Sequence, residues 1–333
     1  METQKKQIAM IGGGSWATAL VKILTDNGHK LNWWIREEDI IENIQRHGRN
    51  PRYLSSVDFD PSNLNISNDL RRVINSSDII VFCVPSAFLK SVLDDLPKDA
   101  LRGKTIVSAI KGIIPEINLI IGEFFNQEYS VSFQDFIVVC GPSHAEEVAQ
   151  EKLTYLTVSS QNNTIAQEFC EILNSRYIKT STSDDIFGTE YSAVLKNIYA
   201  IATGIAKGLG FGDNFTSVLI SNALQETKRF IDTVHPIDRD LTNSVYLGDL
   251  LVTAYSQFSR NRTFGMMIGS GYSVKSAQLE MNMIAEGYYA SYCIHQIKKN
   301  YTVDMPITEA VYNILYERIS PHVEFRILCD KLS

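Results

Sequence analysis

The stretch IAMIGGGSWATAL, Ile8 to Leu20, decides the fold. It opens on an apolar run with strand character, turns through three glycines and continues with helical periodicity. Gly12, Gly14 and Ala17 form a G-x-G-x-x-A pattern. In such a turn the first glycine allows the tight bend and the second lets the backbone approach a pyrophosphate. The small third residue lets helix and strand pack closely. The helix N-terminus adds N–H groups and a partial positive charge for the phosphates. A plain glycine turn is the alternative; the strand before and the helix after favour a dinucleotide.

Outward from this turn, short apolar runs alternate with helical stretches: KLNWWI (Lys30–Ile35), DIIVFCVP (Asp78–Pro85), KTIVSAIKG (Lys104–Gly112), FIVVCGPS (Phe136–Ser143) and LTYLTVSS (Leu153–Ser160). Continuous apolar runs suit strands buried on both faces, hence a parallel sheet between helices. The order predicts a doubly wound α/β domain. After Glu190 the pattern turns helical, in Glu190–Gly210, Asn214–Val234, Ser273–Lys299 and Pro306–Ile319. A boundary is expected at 189/190, with a dinucleotide-binding domain over 1–189 and an all-α domain over 190–333.

The second strand of a dinucleotide fold ends on an acidic residue when the ribose 2′-hydroxyl is bound, while an arginine nearby accommodates a 2′-phosphate. Here LNWWIREED supplies Arg36, followed by Glu37 and Glu38. Arg36 points to NADPH, Glu37 keeps NADH open, and a surface arginine is the plain alternative.

A second feature is AVLKNIYA, Ala193–Ala200, which places Lys196 and Asn197 inside an apolar helix. A buried ammonium is costly unless paired. On a helical wheel Val194, Ile198, Ile201 and Ile205 form one stripe. The lysine's face carries Ser192, Ala193, Ala200, Thr203, Gly204 and Lys207. Its small residues allow close approach of a backbone, ligand or cofactor. Either the lysine snorkels to water or the protein uses it.

The chain has 333 residues, 44% hydrophobic and 21% charged, long enough for two domains because single cores rarely grow past about 250–300 residues. A net charge of -7 argues against a general nucleic-acid binder. The five cysteines (Cys83, Cys140, Cys170, Cys293 and Cys329) form no CxxC pair and suggest reduced thiols in a cytoplasm. No zinc or other metal site is expected. The N-terminus lacks a signal-peptide core, and no apolar run of about 18 residues predicts a membrane span.

GGGSWATAL (Gly12–Leu20), IKGI (Ile110–Ile113), GPSHAEEV (Gly141–Val148), AVLKN (Ala193–Asn197), LGDLLVTAYSQFSRNRTFGMMIGSG (Leu247–Gly271) and AEGYYA (Ala285–Ala290) follow one another in this order. With them the chain resembles the NAD(P)-dependent glycerol-3-phosphate dehydrogenases of the soluble bacterial type over nearly its whole length. The resemblance implies a Rossmann domain followed by a helical domain of the 6-phosphogluconate-dehydrogenase type. It implies reversible reduction of dihydroxyacetone phosphate to sn-glycerol 3-phosphate with NADP or NAD, feeding phospholipid synthesis. Beside Gly12 and Gly14, it puts cofactor contacts at Ser15, Trp16, Arg36, Lys111, Ala145, Arg260, Ile284 and Glu286. It puts substrate contacts at Lys111, Gly141, Ser143, Lys196, Asn197, Asp249, Ser259, Arg260 and Asn261, with Lys196 as the proton carrier.

That chemistry suits the residue types. Hydride addition to a ketone makes an alkoxide, which an ammonium stabilises and protonates. Lys111 would disfavour a second cation at Lys196 and Asp249 would favour it. Ser259, Arg260 and Asn261 together suit a phosphate. The plain alternatives are a helix N-cap at Asp249 and a structural salt bridge at Arg260. His144 is read as a site wall. Tyr246 and the Thr253–Phe258 stretch depart from the family pattern. They leave room for another β-hydroxyacid or polyol phosphate as substrate, and a non-catalytic nucleotide sensor is a third reading. A homodimer is expected.

Overall fold

A computed structural model describes residues 6–281 and 285–333. The chain divides into two compact units. The first comprises residues up to Ile110 with Ile121–Ile186, and the second comprises Lys111–Ile120 with Phe187–Ser333.

The strands are β1 (Ile8–Ile11), β2 (Leu31–Trp34), β3 (Leu64–Ser67), β4 (Ile79–Phe82), β5 (Thr105–Ser108), β6 (Ile113–Ile114), β7 (Leu119–Ile120), β8 (Phe136–Cys140), β9 (Thr154–Ser159) and β10 (Ile178–Ser183). All but β6 and β7 form one sheet of the first unit, in the order β10-β9-β8-β5-β4-β1-β2-β3. β1 lies between β2 and β4, with Ile8 opposite Leu31 and Ile79. Its four residues are fully buried, as the apolar run requires. Pairing is parallel except between β8 and β9, where Val138 faces Ser159 in an antiparallel register. There the chain turns back through one short helix, and the two neighbouring strands run in opposite directions.

The helices of the first unit are α1 (Ser15–Asp26), α2 (Glu38–His47), α3 (Leu70–Asn75), α4 (Ser86–Leu93), α5 (Ile121–Tyr129), α6 (Ala145–Ala149) and α7 (Asn163–Leu173). α1 buries Ala17, Leu20, Val21, Ile23 and Leu24 in a core that includes Met10, Trp33 and Val81 of the sheet.

The second unit is built from α8 (Ile186–Gly208), α9 (Asp213–Val234), α10 (Asp249–Tyr255), α11 (Arg260–Gly269), α12 (Val274–Glu280), α13 (Glu286–Lys298), α14 (Pro306–Leu315) and α15 (Pro321–Cys329). α8 is its axis. Val194, Ile198, Ile201 and Ile205 are fully buried in one cluster with residues of α9 to α11 and α13 to α15. The β6–β7 hairpin belongs here too, because Ile113 and Ile120 are buried in that same cluster. A boundary at 189/190 would leave this hairpin with the sheet. The stretch Ser273–Lys299, which reads as one helical run, is two helices, α12 and α13. No helix among the described residues is long and apolar enough to cross a membrane.

Candidate active site

The glycine turn of the first unit is fixed from behind. The fully buried Trp33 indole donates to Gly12 O at 2.7 Å, and Asn50 Nδ2 donates to Gly13 O at 3.0 Å. Gly12 has φ +132°, and a Cβ there would strike the Cys83 carbonyl, so the bend excludes any other residue. A Cβ on Gly14 would meet nothing within 4 Å. Gly14 is the N-cap of α1, which has no side-chain cap and no acidic residue in its first turn. An open, uncapped, acid-free helix N-terminus beside a forced bend fits a pyrophosphate. Ser15 and Trp16 begin that helix, half-buried.

Arg36 follows β2 and is exposed; its Nε and Nη2 donate to Glu37 Oε1 at 3.0 and 2.5 Å. Gly141, after β8, also has a left-handed φ of +132°, and a Cβ there would meet Tyr155 O at 2.7 Å. Ser143 donates to Gly141 O at 3.0 Å, and the buried Ala145 starts α6. His144 is the N-cap residue of α6 without a side-chain cap bond.

In the second unit the structure gathers Lys111, Lys196, Asn197, Asp249 and Asn261 into one network. Lys196 Nζ donates to Asp249 Oδ1 at 2.6 Å and to Thr253 Oγ1 at 3.1 Å. Lys111 Nζ lies 3.4 and 3.3 Å from the two carboxylate oxygens of Asp249. The side chains of Lys196 and Asp249 are 7% and 2% exposed, so the lysine does not snorkel. Asp249 starts α10 and its side chain holds cations instead of capping the helix. Two lysine side chains share one buried carboxylate.

An amide chain braces this centre. Asn197 Nδ2 donates to Lys111 O at 2.9 Å, Asn261 Nδ2 donates to Asn197 Oδ1 at 2.9 Å, and Gly287 N donates to Asn261 Oδ1 at 2.9 Å. The Asn261 amide, implied by the resemblance to touch substrate, therefore uses both ends to join α8 to α13. Ser259 is the N-cap of α11, its Oγ accepting from Arg262 N at 3.3 Å. Arg260, the first residue of α11, is exposed. Glu286 starts α13, and Ile284 lies outside the described residues.

The small face of α8 has a structural cause. A Cβ on Gly204 would strike Arg262 O, one on Gly208 would meet Met266 O at 2.5 Å, and one on Gly265 or Gly269 would strike carbonyls of α8. The backbones of α8 and α11 cross in direct contact along two glycine pairs. The close approach is thus partly to a neighbouring helix, not to a ligand alone.

Behind Lys196 lies a small recess lined by Ser192, Tyr199, Leu224, Thr227, Tyr246 and Leu250, with room for about one water molecule. Tyr246 is buried and fills part of this wall, inside a π-helical turn over Ser244–Gly248. Burial raises the Tyr199 hydroxyl well above its usual range. The fully buried Glu226 lies close by; its carboxylate accepts from Ile307 N at 2.8 Å and Thr308 N at 3.0 Å at the start of α14. Burial pushes its carboxyl up to about 7.

Thr253, read from sequence only as part of the Thr253–Phe258 departure from the family pattern, was not foreseen as a partner of Lys196, although it lies one helical turn after Asp249 and so on the same face. Gly287 escaped it because its contribution is a backbone N–H. All five cysteines are free thiols, and no metal-binding cluster occurs among the described residues.

A largely parallel sheet opened by a phosphate-type turn, with a buried lysine–carboxylate centre in a helical unit, fits a dinucleotide-dependent oxidoreductase. Residues 7–166 match the family model described as NAD-dependent glycerol-3-phosphate dehydrogenase N-terminus, and residues 185–326 match its C-terminus. A glycerol-3-phosphate dehydrogenase [NAD(P)+] of Oceanobacillus iheyensis is 35% identical over 316 residues, covering 95% of this chain and 91% of that protein. One from Bacillus subtilis is 35% identical over 312 residues, covering 93% of this chain and 90% of that protein. The crystal structure of glycerol-3-phosphate dehydrogenase from Coxiella burnetii superposes with a TM-score of 0.90 at 32% identity, covering 98% of this chain and 99% of that one. The chain belongs to the NAD-dependent glycerol-3-phosphate dehydrogenase family.

Proposed function

We propose that this protein reduces dihydroxyacetone phosphate to sn-glycerol 3-phosphate, reversibly, with NADH or NADPH, and so supplies the glycerophospholipid backbone. The observation that carries the reading is Lys196, buried on Asp249 with Lys111 as a second cation. The chemistry that a bound dinucleotide would supply is hydride transfer to or from the substrate's C2. The residues that would hold it are Gly12, Gly14, Ser15 and Trp16 at the turn, with Arg36, Ala145, Lys111, Arg260, Ile284 and Glu286 as the family resemblance implies.

Lys196 meets the carbonyl oxygen, stabilises negative charge as it develops and delivers a proton to it. In the reverse direction the neutral amine takes the proton back. Asp249 and Thr253 aim the ammonium, and Lys111 adds positive charge. Ser259 and Arg260 at the start of α11 hold the phosphate, with Gly141 and Ser143 as further substrate contacts. Asn197 and Asn261 act by bracing Lys111 and the start of α13.

The test is nicotinamide absorbance with dihydroxyacetone phosphate, for wild type and Lys196→Ala. Turnover should fall at least about a hundredfold in the variant, with dinucleotide binding retained. No oxidation of either cofactor by wild type, or full activity in the variant, sinks the reading. The scattered free thiols support a cytoplasmic location. A homodimer is proposed through the helical unit, where Tyr255 and Phe258 are 48% and 53% exposed; sedimentation at a monomer mass rejects it.

A further inference from the structure

We propose that Glu37 sets the cofactor preference of this chain toward NADH, by clamping Arg36 and by taking the ribose 2′-hydroxyl itself. The inference rests on the dinucleotide reading above and narrows it.

Glu37 stands just past the end of β2, next to the strand that leads into the glycine turn. This is the region in which an acidic side chain binds a ribose hydroxyl and an arginine accommodates a phosphate. Both residue types are present here, and the structure shows how they are engaged. Arg36 Nε and Nη2 both point at one oxygen, Oε1 of Glu37. The fork that would grip a 2′-phosphate is folded onto its neighbour, and Glu37 Oε2 lies outside that pair.

The local role open to Glu37 is not taken. It is the N-cap residue of α2, yet its side chain makes no cap bond. Glu38 and Asp39 already supply the first-turn negative charge that the helix dipole favours. Asp39 pairs with Arg52 at 2.6 Å. Three carboxylates stand against two guanidinium groups in this corner, so a 2′-phosphate would arrive against net negative charge. The Arg36 side chain is 71% exposed and that of Glu37 28%, so the pair itself opens easily. A 2′-phosphate would still have to win the Arg36 guanidinium from Glu37, and with Glu37 present it also meets a carboxylate beside it.

The test is fluorescence titration with NADH and with NADPH, without substrate, of wild type, Glu37→Gln and the Glu37→Gln/Arg36→Gln double variant. Wild type should bind NADH more tightly. Glu37→Gln should move the NADH-to-NADPH affinity ratio about tenfold toward NADPH, which corresponds to about 1.4 kcal/mol. The double variant should lose that gain, because the gain needs the released guanidinium. Tighter NADPH binding by wild type, an unmoved ratio in Glu37→Gln, or a gain that survives in the double variant overturns the proposal and leaves the dinucleotide reading standing. Binding of neither nucleotide by wild type overturns both.

Discussion

Replacing Asp249 by Asn removes the charge from the centre of the second unit while keeping the shape of the side chain. The carboxylate lies 2.6 Å from Lys196 Nζ, so at an effective dielectric of about 20 the two unit charges attract by roughly 6 kcal/mol. Part of that offsets the cost of taking both groups out of water. Removing one partner of a buried pair costs about 3–5 kcal/mol in total. Asn retains an acceptor oxygen for Lys196, which places the expected loss near the lower end, at about 3 kcal/mol in urea denaturation. Lys111, at 3.3 Å on the other carboxylate oxygen, then faces Lys196 with no anion between them. The ammonium loses its aim and its neutralising partner together, and turnover should fall by about a hundredfold or more. A double-mutant cycle with Lys111→Met isolates the cause. If the two lysines share the carboxylate, the double variant is less damaged than the sum of the singles by at least about 1 kcal/mol. Stability within 1 kcal/mol of wild type in Asp249→Asn, or strict additivity in the cycle, would refute the shared-carboxylate argument.

Two further outcomes follow from packing and burial. Gly204→Ala should lower stability by about 3 kcal/mol, because the new Cβ strikes the Arg262 carbonyl and must push α11 away; an unchanged melting temperature would mean that the helices do not cross there. Glu226 carries a pH signature, since burial lifts its carboxyl from the ordinary 4.5 to about 7. The folded state then holds the proton more tightly than the unfolded chain. The resulting stabilisation is full below the unfolded value, falls as pH rises and is gone above about 7, for a total on the order of 3 kcal/mol. The stability gap between wild type and Glu226→Ala should therefore shrink from pH 5 to pH 8; a gap that stays flat or widens means that the carboxylate is ionised throughout.

What could be read from the sequence depended on burial. β1, β2, β4, β5, β8 and β9 are buried almost throughout, so their residues form the mainly apolar runs that identify them. β3 and β10 are the edges of the sheet and half in water. LNIS and IKTSTS carry no run to see, and only pairing makes them strands. β6 and β7 are two residues each, too short for any period. The lysine centre was legible because a charge in an apolar helix is improbable without a partner. The partner was legible as an acid in LGDLL. Thr253 was not, because a threonine in a helix has many ordinary uses. The Asn261–Gly287 link was invisible for another reason: it joins a side chain to a backbone donor on a helix that begins more than twenty residues later. Arg36 shows the converse limit. Its position suggested a phosphate, but its hydrogen bonds go to the next residue.

The glycine crossing explains why the chemistry holds its register. Gly204 and Gly208 of α8 and Gly265 and Gly269 of α11 each face backbone of the other helix, Gly208 and Gly269 face each other, and on each helix the two glycines are four residues apart. Backbones in direct contact cannot slide without driving a side chain into the facing helix. A slip of one turn would be about 5.4 Å, nearly twice the 2.9 Å that joins Asn261 to Asn197. The contact therefore fixes where the start of α11 falls against α8, and with it Ser259, Arg260 and Asn261. Asn197 passes that register to the Lys111 carbonyl, so a seam of residues with no functional group sets the separation of the two lysines. The small face that carries Lys196 is, on this account, a device for holding position, and the lysine stands where that position is needed.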